Sequence, residues 1–129
     1  MKPLMDLFEL GGRVFMALIF VVAGWGKIGG YAGTQGYMEA MGVPGMLLPL
    51  VIALELGGGL LILAGFQTRI VAFLLSGFCL VSAAIFHSNL GDQMQSILFM
   101  KNVAMAGGFL FLVVHGAGTF SLDSKLKKA

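Results

Sequence analysis

Six polar residues stand in stretches of the chain that are otherwise apolar, and their side chains are of the kinds that bind ligands or exchange protons. They are three basic residues, one acid, one histidine and one amide: Arg13, Lys27, Lys101, Glu55, His87 and Asn102. A charge near the middle of a membrane helix costs roughly 2.5–3.5 kcal/mol on insertion scales. The simplest explanation is a polar interior shared by several helices, and we expect function there.

Glu55 is the one acid of these stretches, and a carboxylate in lipid either becomes protonated or finds a cation. We predict that it pairs with Arg13 or with Lys101. The remaining basic residues would leave a net-positive pocket, which attracts a small oxyanion, a lipid head group or the carbonyl oxygens of a quinone. His87 could exchange a proton near neutral pH.

Metal and haem sites are not predicted, and no residue is assigned as catalytic. His87 and His115 lie some 20 Å or more apart by helix rise, which argues against a haem held between them. The nine methionines are better explained as packing residues than as copper ligands. Cys79 is the only cysteine, so the chain has no thiol pair for disulfide exchange.

The elements that position these residues are four membrane helices. Only 11% of the 129 residues are charged, whereas soluble domains carry about 25%. Four apolar stretches are each near the length of about 20 residues that crosses a bilayer, at about 7–27, 44–66, 69–87 and 94–116. Their short connections predict one all-α domain over residues 1–129, an antiparallel four-helix transmembrane bundle.

The connections carry further local signals. Tyr37, Met38 and Met41 favour a short interfacial segment between helices 1 and 2. Thr68 is a candidate N-cap for helix 3, and Asp92 with Gln95 resembles a capping box for helix 4. The glycines within the spans favour close helix packing.

Charge placement predicts the orientation in the membrane. The basic residues of one side are Lys2, Arg69, Lys125, Lys127 and Lys128. By the positive-inside rule that side is cytoplasmic, together with both termini. Helix phase and depth then place Lys27 and His87 inward near the outer surface, with Lys101 about two turns below. The predicted pocket therefore opens to the periplasm.

The motifs and their order resemble the DoxX family of small bacterial inner-membrane proteins over essentially the whole chain. The motifs are Arg13, Ala23-Gly24-Trp25-Gly26-Lys27, Met41-Gly42-Val43-Pro44, Leu54-Glu55-Leu56-Gly57-Gly58-Gly59-Leu60, Gly65-Phe66-Gln67-Thr68-Arg69, Phe86-His87, Lys101-Asn102 and Gly107-Gly108. The resemblance implies an inner-membrane location and marks the same six polar residues. It also implies an association with quinone-linked and sulfur-oxyanion-linked redox systems.

Two functions remain open on this basis. The first is a membrane component of a quinone- or sulfur-oxyanion-linked redox system, which would work with a redox partner protein. The second is a non-enzymatic binding or accessory protein that holds a lipid head group or small anion. The bilayer is the expected surrounding in both, nucleic acid is not expected, and a homo-oligomer is compatible with either.

Overall fold

Four long helices, each apolar enough to cross a membrane, form the computed structural model of the chain. The model describes residues 2–87 and 89–128, without the side chains of residues 127 and 128. Lys127 and Lys128, which belong to the basic tail of the orientation argument, thus have side chains outside the described part. The model is 85% helical, and the described residues include no strand. The predicted all-α membrane fold is confirmed.

The helix bounds follow the predicted spans closely, except that the first helix begins about five residues earlier. The long helices outside the second span are α1 (Lys2–Gly29), α5 (Thr68–Phe86) and α6 (Gln93–His115), and the short ones are α2 (Tyr31–Ala40) and α7 (Leu122–Lys128). The second span, Gly45–Ala64, consists of a 3₁₀ turn (Gly45–Leu47), α3 (Leu48–Ile52), a π-helical segment (Ala53–Gly57) and α4 (Gly58–Ala64). The predicted interfacial segment is the helix α2.

Close approach at glycines joins α1 to the second span. A Cβ added at Gly24 would lie 2.8 Å from the backbone nitrogen of Leu56, and one at Gly59 would lie 3.1 Å from that of Val21. Only a residue without a side chain permits such contact, as expected for helices that associate in lipid. These two contacts therefore fix the distance between α1 and the second span, at the π-helical segment and at α4.

The other helices close the bundle unevenly. The packing of α5 against α6 is extensive and includes a hydrogen bond from Ser76 Oγ to the carbonyl oxygen of Ala106. The rings of Phe20 and Phe109 meet edge to face at 5.4 Å between α1 and α6. The second span touches α5 mainly through α4, while α3 and the π-helical segment make few contacts with it. These two spans therefore diverge toward α2.

The outer surface of the bundle is apolar. Large side chains such as Phe15, Phe73 and Phe111 are mostly exposed on the long helices. An apolar surface of this extent is unstable in water and is the surface that a bilayer covers. The outward face of each long helix thus suits contact with lipid.

Two N-caps test the predictions made for helix starts. Asp92 accepts hydrogen bonds from the backbone nitrogens of Met94 and Gln95, as predicted for the start of α6. The prediction for Thr68 is wrong, because α5 starts without a cap from its own sequence. Its first N–H groups instead donate to Asp123, which comes from α7.

Candidate functional site

The polar residues of the spans divide into two groups at opposite ends of the bundle. Lys27, Glu55 and His87 line one cavity at the end that carries α2, hereafter the α2 end. Arg13 lies near the other end, where α7 packs, hereafter the α7 end. Fourteen positions separate Arg13 from Lys27 on α1, which corresponds to about 21 Å of helix. The six predicted residues therefore do not form one pocket.

The backbone brings Lys27 and Glu55 together. Glu55 is the central residue of the π-helical segment, a form of helix that is rare and occurs often at functional sites. Lys27 lies three residues beyond Gly24, whose contact with Leu56 brings α1 against that segment. The close helix contact thus holds the ammonium group beside the carboxylate.

Lys27 and Glu55 form a buried ion pair. The Lys27 Nζ atom lies 2.7 Å from Glu55 Oε1, and the side chains are 27% and 6% exposed. Apart from this contact, no group of the described residues donates a hydrogen bond to Oε1. The prediction that Glu55 pairs with Arg13 or Lys101 is wrong, because the glycine contact brings Lys27 closer than either.

His87 ends α5 and faces the start of α6. Its Nδ1 atom lies 2.9 Å from Gln95 Oε1. Because an amide oxygen only accepts hydrogen bonds, Nδ1 is the donor in this contact. The Gln95 side chain therefore orients His87 instead of completing the predicted capping box.

A cavity of about 380 Å³ lies between the second span, α5 and α2, and is called the large cavity hereafter because it is larger than a second one at the same end. Its polar end is formed by the Lys27–Glu55 pair and His87, and most of its remaining wall is apolar. The other lining residues are Thr34, Tyr37, Met38, Val43, Leu47, Leu50, Val51, Phe78, Val81, Ser82, Ile85 and Phe86. The cavity therefore suits a molecule with a small polar group and a larger apolar part.

The charge and the opening of the large cavity differ from the predictions. The charges of Lys27 and Glu55 cancel, so the prediction of a net-positive pocket is wrong. That prediction included the charges of Arg13 and Lys101, which do not line this cavity. Its mouth lies where the spans diverge, between Leu50 and Val81, which are 68% and 58% exposed. Because α2 covers the end of the bundle with the buried Met38, the cavity opens sideways toward lipid.

Lys101 and Asn102 are neighbours on α6 but face different surroundings. The Lys101 side chain is exposed and lines neither cavity of the α2 end, so the prediction of an inward orientation is wrong. Asn102 is half-buried and lines a second cavity of about 150 Å³, hereafter the small cavity. Since successive helical residues differ by about 100° in direction, only one of the two can face inward.

Arg13 has a structural role at the α7 end. It donates hydrogen bonds to the carbonyl oxygens of Ala117, Leu63 and Phe120 at 2.6, 3.2 and 2.8 Å. These carbonyls belong to the end of the second span and to the segment that leads to α7. The two terminal nitrogens of this buried guanidinium are bonded to backbone oxygens, whereas Nε has no partner among the described residues. The charge-assisted bonds stabilise the fold because they replace lost hydration.

Asp123 completes this end of the structure. Its carboxylate accepts hydrogen bonds from the backbone nitrogens of Gln67 and Thr68 at 2.8 and 2.9 Å. Burial alone would raise the pKa of Asp123, but these hydrogen bonds and the charge of Arg13 outweigh it, so that the pKa lies below its ordinary value. The contact joins α7 to the start of α5.

Sequence reasoning missed several residues of the site. Phe78 and Ser82 lie one turn apart on α5 and line both cavities. The spacing from Phe78 to Ser82 indicates a common helix face. Neither side chain is costly in lipid, so neither was predicted as a site residue. The sequence pattern around Gln95 indicated a capping box with Asp92, and nothing in it indicated a contact with His87. Among the described residues, no group of three or more His, Cys, Asp or Glu side chains could hold a metal ion.

Comparisons with a family model and with known proteins agree with one another. The model of the DoxX family matches residues 8–88. The chain is 56% identical over 128 residues to "Inner membrane protein YqjF" of Escherichia coli (strain K12), covering 99% of this chain and 98% of that protein. It is 38% identical over 120 residues to "Inner membrane protein YphA" of the same organism, covering 88% and 86%.

A more distant relative carries a functional name. The chain is 38% identical over 72 residues to "Putative oxidoreductase CatD" of Bacillus subtilis (strain 168), which covers 54% of each protein. No solved structure matches the chain. The two relatives that match over most of their length are named as inner-membrane proteins, in agreement with the four membrane-spanning helices.

Proposed function

We propose that the chain, which belongs to the DoxX family, binds the head group of a quinone or quinol in the large cavity. The observation that carries the proposal is the division of that cavity into a polar end and an apolar part open to lipid. A membrane quinone is divided in the same way, into a ring with two oxygens and a hydrocarbon chain. The ligand would enter from the bilayer between Leu50 and Val81.

The charge balance supports a neutral ligand. Lys27 and Glu55 cancel, whereas an oxyanion would need a surplus of positive charge close to it. A lysine ammonium has three donors, so Lys27 can donate to a carbonyl oxygen of the ring and still contact Glu55. In the neutral tautomer that donates from Nδ1, the Nε2 atom of His87 can accept a hydrogen bond from a quinol hydroxyl.

The size of the cavity supports a ligand of this class. Pockets for small organic ligands measure about 300–1,000 Å³, and most of their lining is apolar with a few placed polar groups. The large cavity, at about 380 Å³, is at the lower end of that range. It would take the ring and the first part of the hydrocarbon chain, with the rest of that chain in lipid.

A redox role follows from the proposed ligand and is supported by one relative. The name of the Bacillus subtilis protein is that of a putative oxidoreductase, and the match covers half of each chain. We assign the electron transfer to a partner redox protein and ligand binding to this chain. The second candidate is an accessory protein that holds a lipid head group, since the mouth between the spans also admits a lipid.

Retention of a bound molecule tests the proposal. The protein is purified in mild detergent, and released molecules are identified by mass spectrometry for the wild type, Lys27→Met and the matched control Lys101→Met. We expect a quinone on the wild type and on the control, and its loss from Lys27→Met. The double variant Lys27→Met/Glu55→Leu, which strands no charge, should also lose it while it stays folded.

Two results would contradict the quinone. A phospholipid retained in its place, and lost from Lys27→Met, would favour the accessory protein. Equal retention by Lys27→Met and Lys101→Met would mean that the large cavity is not the site.

The orientation in the membrane is part of the proposal. Cytoplasmic termini would place Lys27, Glu55 and His87 in the periplasmic half of the bilayer. Reporter fusions after Arg69 and after Ala129 should then be active only as cytoplasmic reporters. Alkaline phosphatase activity from either fusion would reverse the orientation and place the site in the cytoplasmic half.

A further inference from the structure

The small cavity lies on the other side of Glu55 from the mouth of the large cavity, between α1, α5 and α6. Both cavities are lined by Glu55, Phe78, Ser82 and His87. The remaining residues of the small cavity include two polar ones and several apolar ones: Asn102, Cys79, Ile19, Phe20, Ala23 and Met105. Glu55 and His87 are therefore accessible from two separate spaces.

The walls of the small cavity are suited to water. Its volume is about 150 Å³, and a water molecule occupies about 30 Å³ in the liquid. Water enters a buried cavity when polar groups offer it about three hydrogen bonds, while apolar cavities of similar size stay dry. The carboxylate, imidazole, amide, hydroxyl and thiol groups around this cavity supply that number.

The carboxylate of Glu55 is a second reason to expect water in the small cavity. The residue is 5% exposed, and apart from the contact with Lys27 no described residue donates a hydrogen bond to its Oε1 atom. An ion pair alone satisfies a buried carboxylate poorly, because its remaining lone pairs need donors. Asn102 and Ser82 line the same space and can hold a donor molecule between themselves and the carboxylate.

We infer that the small cavity is a water site that joins Glu55 to His87 on the side away from the ligand. Its hydration does not depend on the ligand; its role rests on the proposed function. That role is proton exchange. A proton that leaves a head-group hydroxyl as its O–H bond breaks forms an N–H bond at Nε2 of His87. The Nδ1–H bond of the imidazolium, once released from Gln95 Oε1, then breaks, and its proton passes through this water to the carboxylate of Glu55.

Cys79 provides a built-in reporter of that water. It is the only cysteine of the chain, it is 2% exposed, and it lines the small cavity. After transfer of the purified full-length protein to D₂O, the infrared S–H band should be replaced by the S–D band within the mixing time. A thiol in a dry core exchanges only when the structure opens, which is slower by orders of magnitude.

Filling the small cavity should remove the water. In Asn102→Leu, which replaces the amide by an apolar group, S–H exchange should slow by at least about tenfold. Met105→Phe, which adds bulk to the same cavity, is the second variant in case the first does not fold. The matched control is Val81→Trp at the mouth of the large cavity, which should leave the exchange rate unchanged.

The carboxylate band of Glu55 gives an independent readout, assigned by difference from Glu55→Gln. It should shift between H₂O and D₂O in the wild type, and the shift should vanish in Asn102→Leu. A persistent S–H band in the wild type, or equal exchange in all variants, would overturn the water site. Neither result bears on quinone retention, which Val81→Trp should reduce and Asn102→Leu should preserve, so the two proposals fail separately.

Discussion

Removing one member of the Lys27–Glu55 pair should have an effect that depends on which member is removed. Breaking a buried ion pair costs about 3–5 kcal/mol when the remaining charge stays buried. Lys27→Met leaves a carboxylate whose side chain is only 6% exposed, so we expect a cost in that range. Glu55→Leu leaves a lysine that is 27% exposed and can extend toward water, so its cost should be smaller, about 1–2 kcal/mol.

The double variant Lys27→Met/Glu55→Leu should restore most of the stability. Replacing both members of a buried pair by apolar residues is often neutral or stabilising by about 1–4 kcal/mol.

Reversible unfolding in detergent, followed by far-ultraviolet circular dichroism, measures all four members of the cycle. The full cycle is needed because residues in contact are not additive. A Lys27→Met variant as stable as the wild type would refute the buried pair. A double variant that loses the sum of the two single losses would show that the residues act independently.

Two further predictions concern the packing that positions the site. Gly24→Ala should destabilise the protein by about 1–3 kcal/mol, because the added Cβ would lie 2.8 Å from the backbone nitrogen of Leu56. In the matched control Gly26→Ala the added Cβ meets nothing within 4 Å, so this variant should be as stable as the wild type in the same unfolding assay. Since the pKa of Asp123 is lowered from 3.8, its stabilising contribution is complete above that value and is lost as pH falls through it and below. The protection factor of the Thr68 amide, which corrects its exchange rate for the slower intrinsic exchange in acid, should therefore fall as pH drops. Asp123→Asn should lose about 1 kcal/mol at neutral pH and abolish this acid dependence; an unchanged pH profile in the variant would contradict the assignment.

Residues that are costly in lipid could be found from the sequence alone. The free energy of placing a polar side chain in an apolar helix marked Lys27, Glu55 and His87 as candidates, and all three line the large cavity. The four spans were equally accessible, since a hydrocarbon layer of fixed thickness demands about 20 apolar residues from any helix that crosses it. Both inferences depend on the composition of single segments and need no knowledge of neighbours.

The partners of those residues could not be found in this way. The choice of Lys27 for Glu55 depends on the distance between α1 and the π-helical segment, which the contact of Gly24 with Leu56 sets. The predicted helix phase made Lys101 a possible partner of Glu55. In the structure α6 is rotated by one residue relative to that phase, so Lys101 is exposed and Asn102 faces inward. Phase from a stripe of small residues is too coarse to decide between adjacent positions.

The four spans and the identity of the polar residues follow from the composition of each segment, because the cost of a charge in lipid is a property of that segment. Three features follow only from the folded bundle: Arg13 binds carbonyl oxygens at the α7 end, the charges of Lys27 and Glu55 cancel, and the cavity opens between two diverging spans. Pairing, net charge and access depend on distances between helices. Those distances are set by close contacts between residues far apart in the chain, and no local pattern encodes them.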